Sequence, residues 1–119
     1  SMREVIDRGI APVVDEAAGR LWSDTTGQYL SINMNVMDAS AAPGVTAPEP
    51  GGLESREVMQ LATRLGERGA PSIIEISELS PVYDVSDTTS KLAACIVLRL
   101  IAANCKERGE TVDQSIRRG

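Results

Sequence analysis

Apolar residues recur at helical spacing at the start of the chain, and a strand-like run of residues follows. Residues 3–8 predict a short helical turn ended by Gly9, and the next helix has Pro12 in its first turn, where a missing N–H costs no hydrogen bond. Residues 28–34 form a β-type run and predict the first strand. The helix before this strand has one apolar face, made of Ile10, Val13, Val14, Ala17 and Leu21.

The middle of the chain repeats this order after a long irregular segment. Residues 38–52 are rich in Ala, Pro and Gly, and a loop of this length within a compact domain is often functional. Helix-forming residues resume at Glu54, and residues 72–77 predict a second strand that ends before Ser80-Pro81. The helix predicted between this loop and the second strand carries an apolar stripe of Val58, Leu61, Ala62 and Leu65.

The last predicted helix covers residues 88–106, and Ser86 or Asp87 can cap its N-terminus. Its middle is apolar nearly all round, interrupted only by Arg99 and Asn104. A helix with one solvent-facing side would show a polar half, so this pattern predicts a helix covered on both sides.

The two cysteines lie in this helix, at Cys95 and Cys105. At the rise of a helix they are about 15 Å apart, which is too far for a disulfide. We therefore expect buried, small apolar side chains in a reducing compartment.

Strands that alternate with helices predict an α/β fold with a parallel sheet and right-handed crossovers. Two parallel strands make a poor sheet, because such sheets normally have several strands and both faces covered. We expect one domain over residues 1–108, completed by association into a homodimer or higher oligomer, and a polar tail over residues 109–119.

Composition narrows the possible functions. The net charge of −5 argues against nucleic-acid binding, and the only basic pair, Arg117-Arg118, lies in the tail. The chain has no histidine, which excludes a histidine-based catalytic triad and histidine-ligated zinc. No apolar run of about 20 residues and no signal peptide are recognisable, so we predict a cytoplasmic protein outside the membrane.

Three stretches resemble the C-terminal part of the ureohydrolase family, which includes arginase, agmatinase and guanidinobutyrase. They are YLSINMNVMDASAAPG, TAPEPGGLESREVMQL and ISELSPVYDVSDTTSKLAA, and they cover most of the chain in order. The first is similar to the family's Ser, Asp-x-Asp-x-x-Asp-Pro and Pro-Gly pattern, and the third to its Glu-x-Ser-Pro-x-Tyr-Asp strand end. The resemblance is greatest to the agmatinase-like branch.

The resemblance implies a fragment of a three-layer α/β fold and a two-manganese site that activates water to release urea from guanidino compounds. The metal-binding aspartates of Asp-x-Asp correspond to Asn33 and Asn35, whereas the third aspartate is retained as Asp38. The carboxylate that binds the substrate guanidinium corresponds to Glu78. The family's Arg-Glu pair at subunit contacts corresponds to Arg56 and Glu57.

Two manganese ions need several anionic oxygens and usually imidazoles, whereas Asn33 and Asn35 offer neutral amide oxygens. We therefore expect no manganese or other cofactor, and hydrogen bonding at a strand end for both amides. Glu78 could bind a cationic guanidinium, or form an ion pair or a solvated strand end. Asp38 is expected to brace the loop, while Glu75 faces solvent or a partner's arginine.

Two functional hypotheses follow. The first is a truncated ureohydrolase-like domain without hydrolase activity, acting as a structural or small-ligand-binding oligomer. The alternative is one half of a split agmatinase- or guanidinobutyrase-type amidinohydrolase, whose partner subunit supplies the remaining metal ligands and in which Glu78 anchors the substrate.

Overall fold

The computed structural model describes residues 1–109, and it contains four α-helices and two β-strands. This order confirms the predicted α/β alternation, while the predicted tail lies almost wholly outside the described residues. The elements are α1 (Met2–Arg8), α2 (Ile10–Leu21), β1 (Tyr29–Asn33), α3 (Ser55–Glu67), β2 (Ile73–Ser77) and α4 (Thr88–Glu107).

The two strands are parallel neighbours, with Ser31 of β1 opposite Glu75 of β2. Alternate side chains point to opposite faces, so Leu30 and Ile32 join the hydrophobic core from one face. Tyr29 on the other face is 61% exposed. Within residues 1–109 the sheet is thus covered on one face only.

Helix α2 packs on α3, and its buried side is rotated slightly from the predicted one. The buried residues of the helix are Ile10, Val14 and Ala18. Ala17 and Leu21 were expected to be buried, but both are exposed and line an open groove between α2, β1 and α3. An ion pair between Asp15 and Arg68, 3.2 Å from carboxylate to Nε, joins the two helical segments.

Within residues 1–109, α4 is covered on one side only, and the cover that association was expected to supply on its second side stays a prediction. One side packs against α3 and buries Leu92, Ala93, Ile96 and Leu100. The opposite side exposes Leu98, because within residues 1–109 helix α4 packs mainly on α3. Apolar composition all round therefore does not show which side of this helix is covered.

The two cysteines also lie in α4, and the prediction that both are buried is wrong. Cys95 is exposed and Cys105 is half-buried, and both are free thiols. They lie toward the uncovered side of α4, where a small apolar side chain meets solvent.

Helix α4 is also long and apolar enough, by length and composition, to cross a bilayer, with a mean hydropathy of 1.3. The sequence pattern alone did not reveal this run because Lys91 and Arg99 interrupt it. A core helix of a globular protein meets the same criteria, and α4 buries Ile96 and Leu100 in this core. One such helix therefore gives little support for a membrane span.

The N-terminus of α4 is capped from a residue farther upstream than predicted. Asp87 occupies the cap position in a left-handed conformation (φ 58°), but its side chain makes no capping hydrogen bond. Instead the Asp84 carboxylate accepts hydrogen bonds from the backbone N–H groups of Thr89 and Ser90, each at 2.9 Å. The Ser90 hydroxyl also donates to Asp84 at 2.9 Å.

This arrangement makes the stability of the fold depend on pH through Asp84. Desolvation raises the pKa of its carboxyl, but the hydrogen bonds from Thr89 and Ser90 outweigh it and hold the pKa far below its usual value. A depressed folded-state pKa stabilises the fold above the unfolded-state pKa of about 3.9, and this stabilisation is lost as pH falls through the folded-state pKa. Asp84→Asn should therefore lower Tm most at neutral pH, and its curve should approach the wild-type curve in acid.

Thermal unfolding followed by circular dichroism from pH 7 downward measures this difference. Asp87→Asn is the matched control, because Asn tolerates the left-handed conformation and Asp87 makes no capping hydrogen bond. A gap between Asp84→Asn and wild type that stays constant down to pH 2 would contradict the prediction.

Candidate functional site

The predicted site residues lie where both parallel strands end. Asn33 is the last residue of β1, and Glu78 directly follows β2. Parallel neighbours bring their carboxyl ends to the same edge of the sheet, which is where ligands bind in open α/β sheets. The structure thus brings together the residues that the sequence placed on different strands.

Both asparagines form hydrogen bonds at this strand end, as predicted. The Asn33 Oδ1 accepts a hydrogen bond from the Asn35 backbone N–H at 2.9 Å. The Asn35 Oδ1 accepts one from the Ala47 backbone N–H at 3.0 Å, which joins the end of β1 to the following loop. Each amide oxygen is therefore already bound to a backbone donor.

Glu78 extends from a strained backbone position into solvent. Its φ of 66° is in the left-handed region, which costs a non-glycine residue of order 1–3 kcal/mol and is held only by surrounding contacts. Its carboxylate accepts a hydrogen bond from the Thr46 hydroxyl, and the Asn35 amide nitrogen lies 3.5 Å away. Asn35, Thr46 and Glu78 form one polar group, the Glu78 cluster.

The loop after β1 is attached to the segment after β2, which positions this cluster. Val45 and Leu79 form an antiparallel bridge, and the Thr46 backbone N–H donates to the Glu78 carbonyl at 3.2 Å. Gly44 fits here because a Cβ would lie 2.6 Å from Asp84 Cβ. Its N–H donates to the buried hydroxyl of Thr89 at 2.8 Å, which anchors the loop to α4.

Asp38 braces the long loop, as predicted. Its carboxylate accepts hydrogen bonds from the Ser40 hydroxyl at 2.5 Å and from the Gly51 N–H at 2.7 Å. The hydrogen bonds from Ser40, followed by that from Gly51, lower the pKa of this carboxyl. The Asp38 carboxylate is thus occupied with hydrogen bonds within the loop.

The donor set does not fit a pair of manganese ions. Asn33 and Asn35 supply no negative charge, and their oxygens already accept backbone hydrogen bonds. The atom of Asn35 that faces Glu78 is its amide nitrogen, which donates and cannot ligate a cation. Among residues 1–109, no group of three His, Cys, Asp or Glu side chains is arranged to hold a metal.

Two features of this region were not predicted from the sequence. Thr46 was not singled out, although its side chain contacts both Asn35 and Glu78; only its position in the TAPEPGGL stretch pointed to it. Glu75 does not stand free in solvent, because it accepts hydrogen bonds from the Tyr29 hydroxyl at 2.5 Å and the Ser31 hydroxyl at 2.7 Å. The Tyr29 hydrogen bond, followed by that of Ser31, lowers the pKa of Glu75.

The predicted subunit-contact pair lies at the start of α3. Glu57 accepts a hydrogen bond from the Glu54 backbone N–H at 2.9 Å and so helps to begin the helix. Arg56 is exposed and lines a groove with Arg64 and Arg99. A role of Arg56 and Glu57 between subunits stays a prediction.

Comparison with known proteins agrees with this geometry. Formimidoylglutamase of Halalkalibacterium halodurans is 32% identical over 105 residues, which are 88% of this chain and 33% of that protein. Arginase from Bacillus caldovelox superposes with a TM-score of 0.80 at 32% identity, over 84% of this chain and 33% of that one. The agmatine ureohydrolase of Thermoplasma volcanium gives 0.77 at 32% identity, over 94% and 36%.

The chain thus spans about a third of the length of the relatives it matches. Their names include formimidoylglutamase, arginase and agmatine ureohydrolase, so these similarities do not single out the agmatinase-like branch. The family model described as the arginase family matches residues 1–103. The fold of residues 1–103 is therefore that of part of a ureohydrolase, and the chain belongs to the arginase family.

Proposed function

We propose that this chain is a ureohydrolase-type domain that binds cationic amidine or guanidino compounds at Glu78 without hydrolysing them. The observation that carries the proposal is the state of the two amides at the end of β1. Their oxygens bind backbone N–H groups, and the Asn35 nitrogen lies 3.5 Å from the Glu78 carboxylate. The carboxylate is retained while the anionic metal ligands are not.

A guanidinium or amidinium suits this carboxylate for electrostatic reasons. Such a cation presents parallel N–H donors, and a carboxylate accepts them in pairs. The Thr46 hydroxyl and the Asn35 amide hold the Glu78 side chain in place, which reduces the entropy lost on binding. Glu78 is exposed, so a ligand can reach it directly from solvent.

Thermal shift measurements test the binding. Agmatine, arginine or guanidinobutyrate should raise the Tm of the wild-type protein by mass action. At a ligand concentration of 100 times Kd, binding adds about 2.7 kcal/mol to the free energy of unfolding. Glu78→Gln should remove the shift in Tm. Glu75→Gln, which removes a carboxylate within β2 instead of the one after it, should keep the shift. Equal shifts in both variants, or none in wild type at saturating ligand, would contradict binding at Glu78.

Manganese titration tests the absence of hydrolysis independently. We expect no tight manganese binding and no urea from these three compounds with wild-type protein. An Asn33→Asp, Asn35→Asp double variant should gain measurable affinity for manganese, because two carboxylates replace neutral oxygens. Two equivalents of manganese bound by the wild-type chain, or urea release, would overturn the proposal.

A second candidate rests on the exposed position of Glu78 at the end of the parallel strands. In this candidate function the chain is the Glu78-bearing part of an amidinohydrolase, and a partner supplies the other metal ligands. This function requires co-purification with a longer ureohydrolase-type chain and loss of that complex's activity in Glu78→Ala. Unchanged activity of the complex would exclude it.

A further inference from the structure

The groove between α3 and α4 that contains Arg56 is lined by three arginines. Arg56 and Arg64 come from α3 and Arg99 comes from α4, and the groove has a volume of about 670 Å³. Among the described residues that line it, Glu67 is the one acid. A volume of this size is typical of small-molecule sites, which measure about 300–1,000 Å³. We refer to this site as the arginine groove.

Two packed helices hold the arginine groove in shape. Residues four apart lie on the same face of a helix, so Arg56, Gln60 and Arg64 follow one another along one side of α3 over about 12 Å. Arg99 faces them from α4, which contacts α3 closely at Gly66. Regular secondary structure thus places the three guanidinium groups on both walls of one groove.

The arginines of the groove lack the close carboxylate partners found elsewhere in the fold. Within residues 1–109, neither Arg56 nor Arg99 has a carboxylate oxygen within 4.0 Å. Arg64 has only a 3.9 Å contact with Asp15, whose carboxylate lies nearer to Arg68, at 3.2 Å. Four arginines outside the groove do form such pairs: Arg3, Arg8, Arg20 and Arg68.

The composition of the chain does not force this lack of partners. The chain has 17 acidic residues and 12 basic ones, so carboxylates are in surplus. Like charges that share a groove repel one another, and a bound anion removes this repulsion. A guanidinium also presents five N–H donors in a planar fork, a geometry that matches the oxygens of phosphate and carboxylate groups.

We propose that the arginine groove binds a small molecule that carries two or more phosphate or carboxylate groups. Arg56 and Arg99 bind its anionic oxygens in charge-assisted hydrogen bonds, and the Ser55 hydroxyl and Gln60 amide add neutral donors. Because the arginines are spread along two turns of α3, several anionic groups engage more of them than a single group does. The residues of the Glu78 cluster do not line this groove, so the two sites are separate.

Titration calorimetry at low ionic strength, with inorganic tripolyphosphate in one experiment and citrate in another, tests the proposal. At least one of the two should bind the wild-type protein with a stoichiometry of one, and the tighter of them identifies phosphate or carboxylate as the preferred group. Arg99→Gln should weaken this binding by about 10-fold or more, because it removes charge-assisted hydrogen bonds. The matched control Arg20→Gln loses the same charge at an exposed site outside the groove and should bind like wild type.

Removing the acid of the groove should have the opposite effect. Glu67→Gln should strengthen anion binding by about 2- to 5-fold, because a charge of the same sign as the ligand is lost from the groove. Asp24→Asn, at an exposed position outside the groove, changes the net charge equally and should leave the affinity unchanged. The two pairs of variants together separate binding in the groove from the effect of net charge.

Four outcomes would overturn the proposal: no saturable binding of either anion by wild type, equal affinities of Arg99→Gln and Arg20→Gln, equal affinities of Glu67→Gln and Asp24→Asn, or an Arg99→Gln variant that loses self-association but keeps anion binding. Circular dichroism of each variant establishes that a loss of binding is not a loss of fold. Glu78→Gln should bind these anions like wild type, so failure of the proposed function and failure of this proposal are distinguishable.

Discussion

Replacing Gly66 with alanine is expected to destabilise the fold by about 2 kcal/mol, although alanine is normally the better helix former. The reason is the close approach of α3 and α4 at this residue. A Cβ on Gly66 would lie 2.4 Å from the Leu100 carbonyl oxygen and 2.7 Å from Ala103 Cβ. The nearer atom belongs to backbone, so the two helices must separate to make room.

Gly19→Ala is the matched control for this substitution. Gly19 is also helical, and the nearest atom to its Cβ is an Arg68 side-chain nitrogen at 4.0 Å. Here the ordinary propensity effect should act alone and stabilise the fold by about 0.5–1 kcal/mol. Urea unfolding of both variants measures the difference. Equal effects of the two substitutions would contradict the close packing of α3 on α4.

Leu100→Ala should have the other large effect, a loss of about 2–5 kcal/mol from the free energy of unfolding. The Leu100 side chain is fully buried between α4 and the core. Truncation removes its transfer free energy and leaves a cavity, because the surrounding helices relax only in part. In a domain of this size, each kcal/mol lowers Tm by several degrees, about 4–8 °C for 60–100 residues.

Leu98→Ala in the same helix is the comparison for Leu100→Ala. Leu98 is 64% exposed, and an exposed substitution of this kind changes stability by about 0.5 kcal/mol or less. The pair therefore distinguishes the covered side of α4 from its open side. If Leu98→Ala cost as much as Leu100→Ala, α4 would be covered on both sides in solution, as its composition suggested.

The order of elements could be predicted because each has a clear local period. The predicted strand over residues 28–34 is observed as Tyr29–Asn33, and the stripe through Val58 and Leu65 is the buried side of α3. The covered side of α4 could not be predicted, since a helix that is apolar all round carries no period that marks a core. The exposure of Leu21 could not be predicted either, for a different reason. Its spacing matches the buried side of α2, yet its side chain is exposed.

The candidate site was predictable in part. Asn33 and Glu78 end adjacent parallel strands, and this alone brings them to one edge of the sheet. Thr46 was not predictable in the same way, because it lies in a loop without a repeating pattern. Its contact with Glu78 depends on the bridge between Val45 and Leu79, which pairs residues far apart in the chain.

The sequence by itself determined the chemistry that is available: no imidazole, neutral amides at positions 33 and 35, and a carboxylate at Glu78. These are covalent properties of individual residues and need no partner. The tertiary structure alone decided that the amide oxygens bind backbone N–H groups and that α3 touches α4 at Gly66. Such features depend on contacts between distant segments, because burial and hydrogen bonding are settled only when the chain packs against itself.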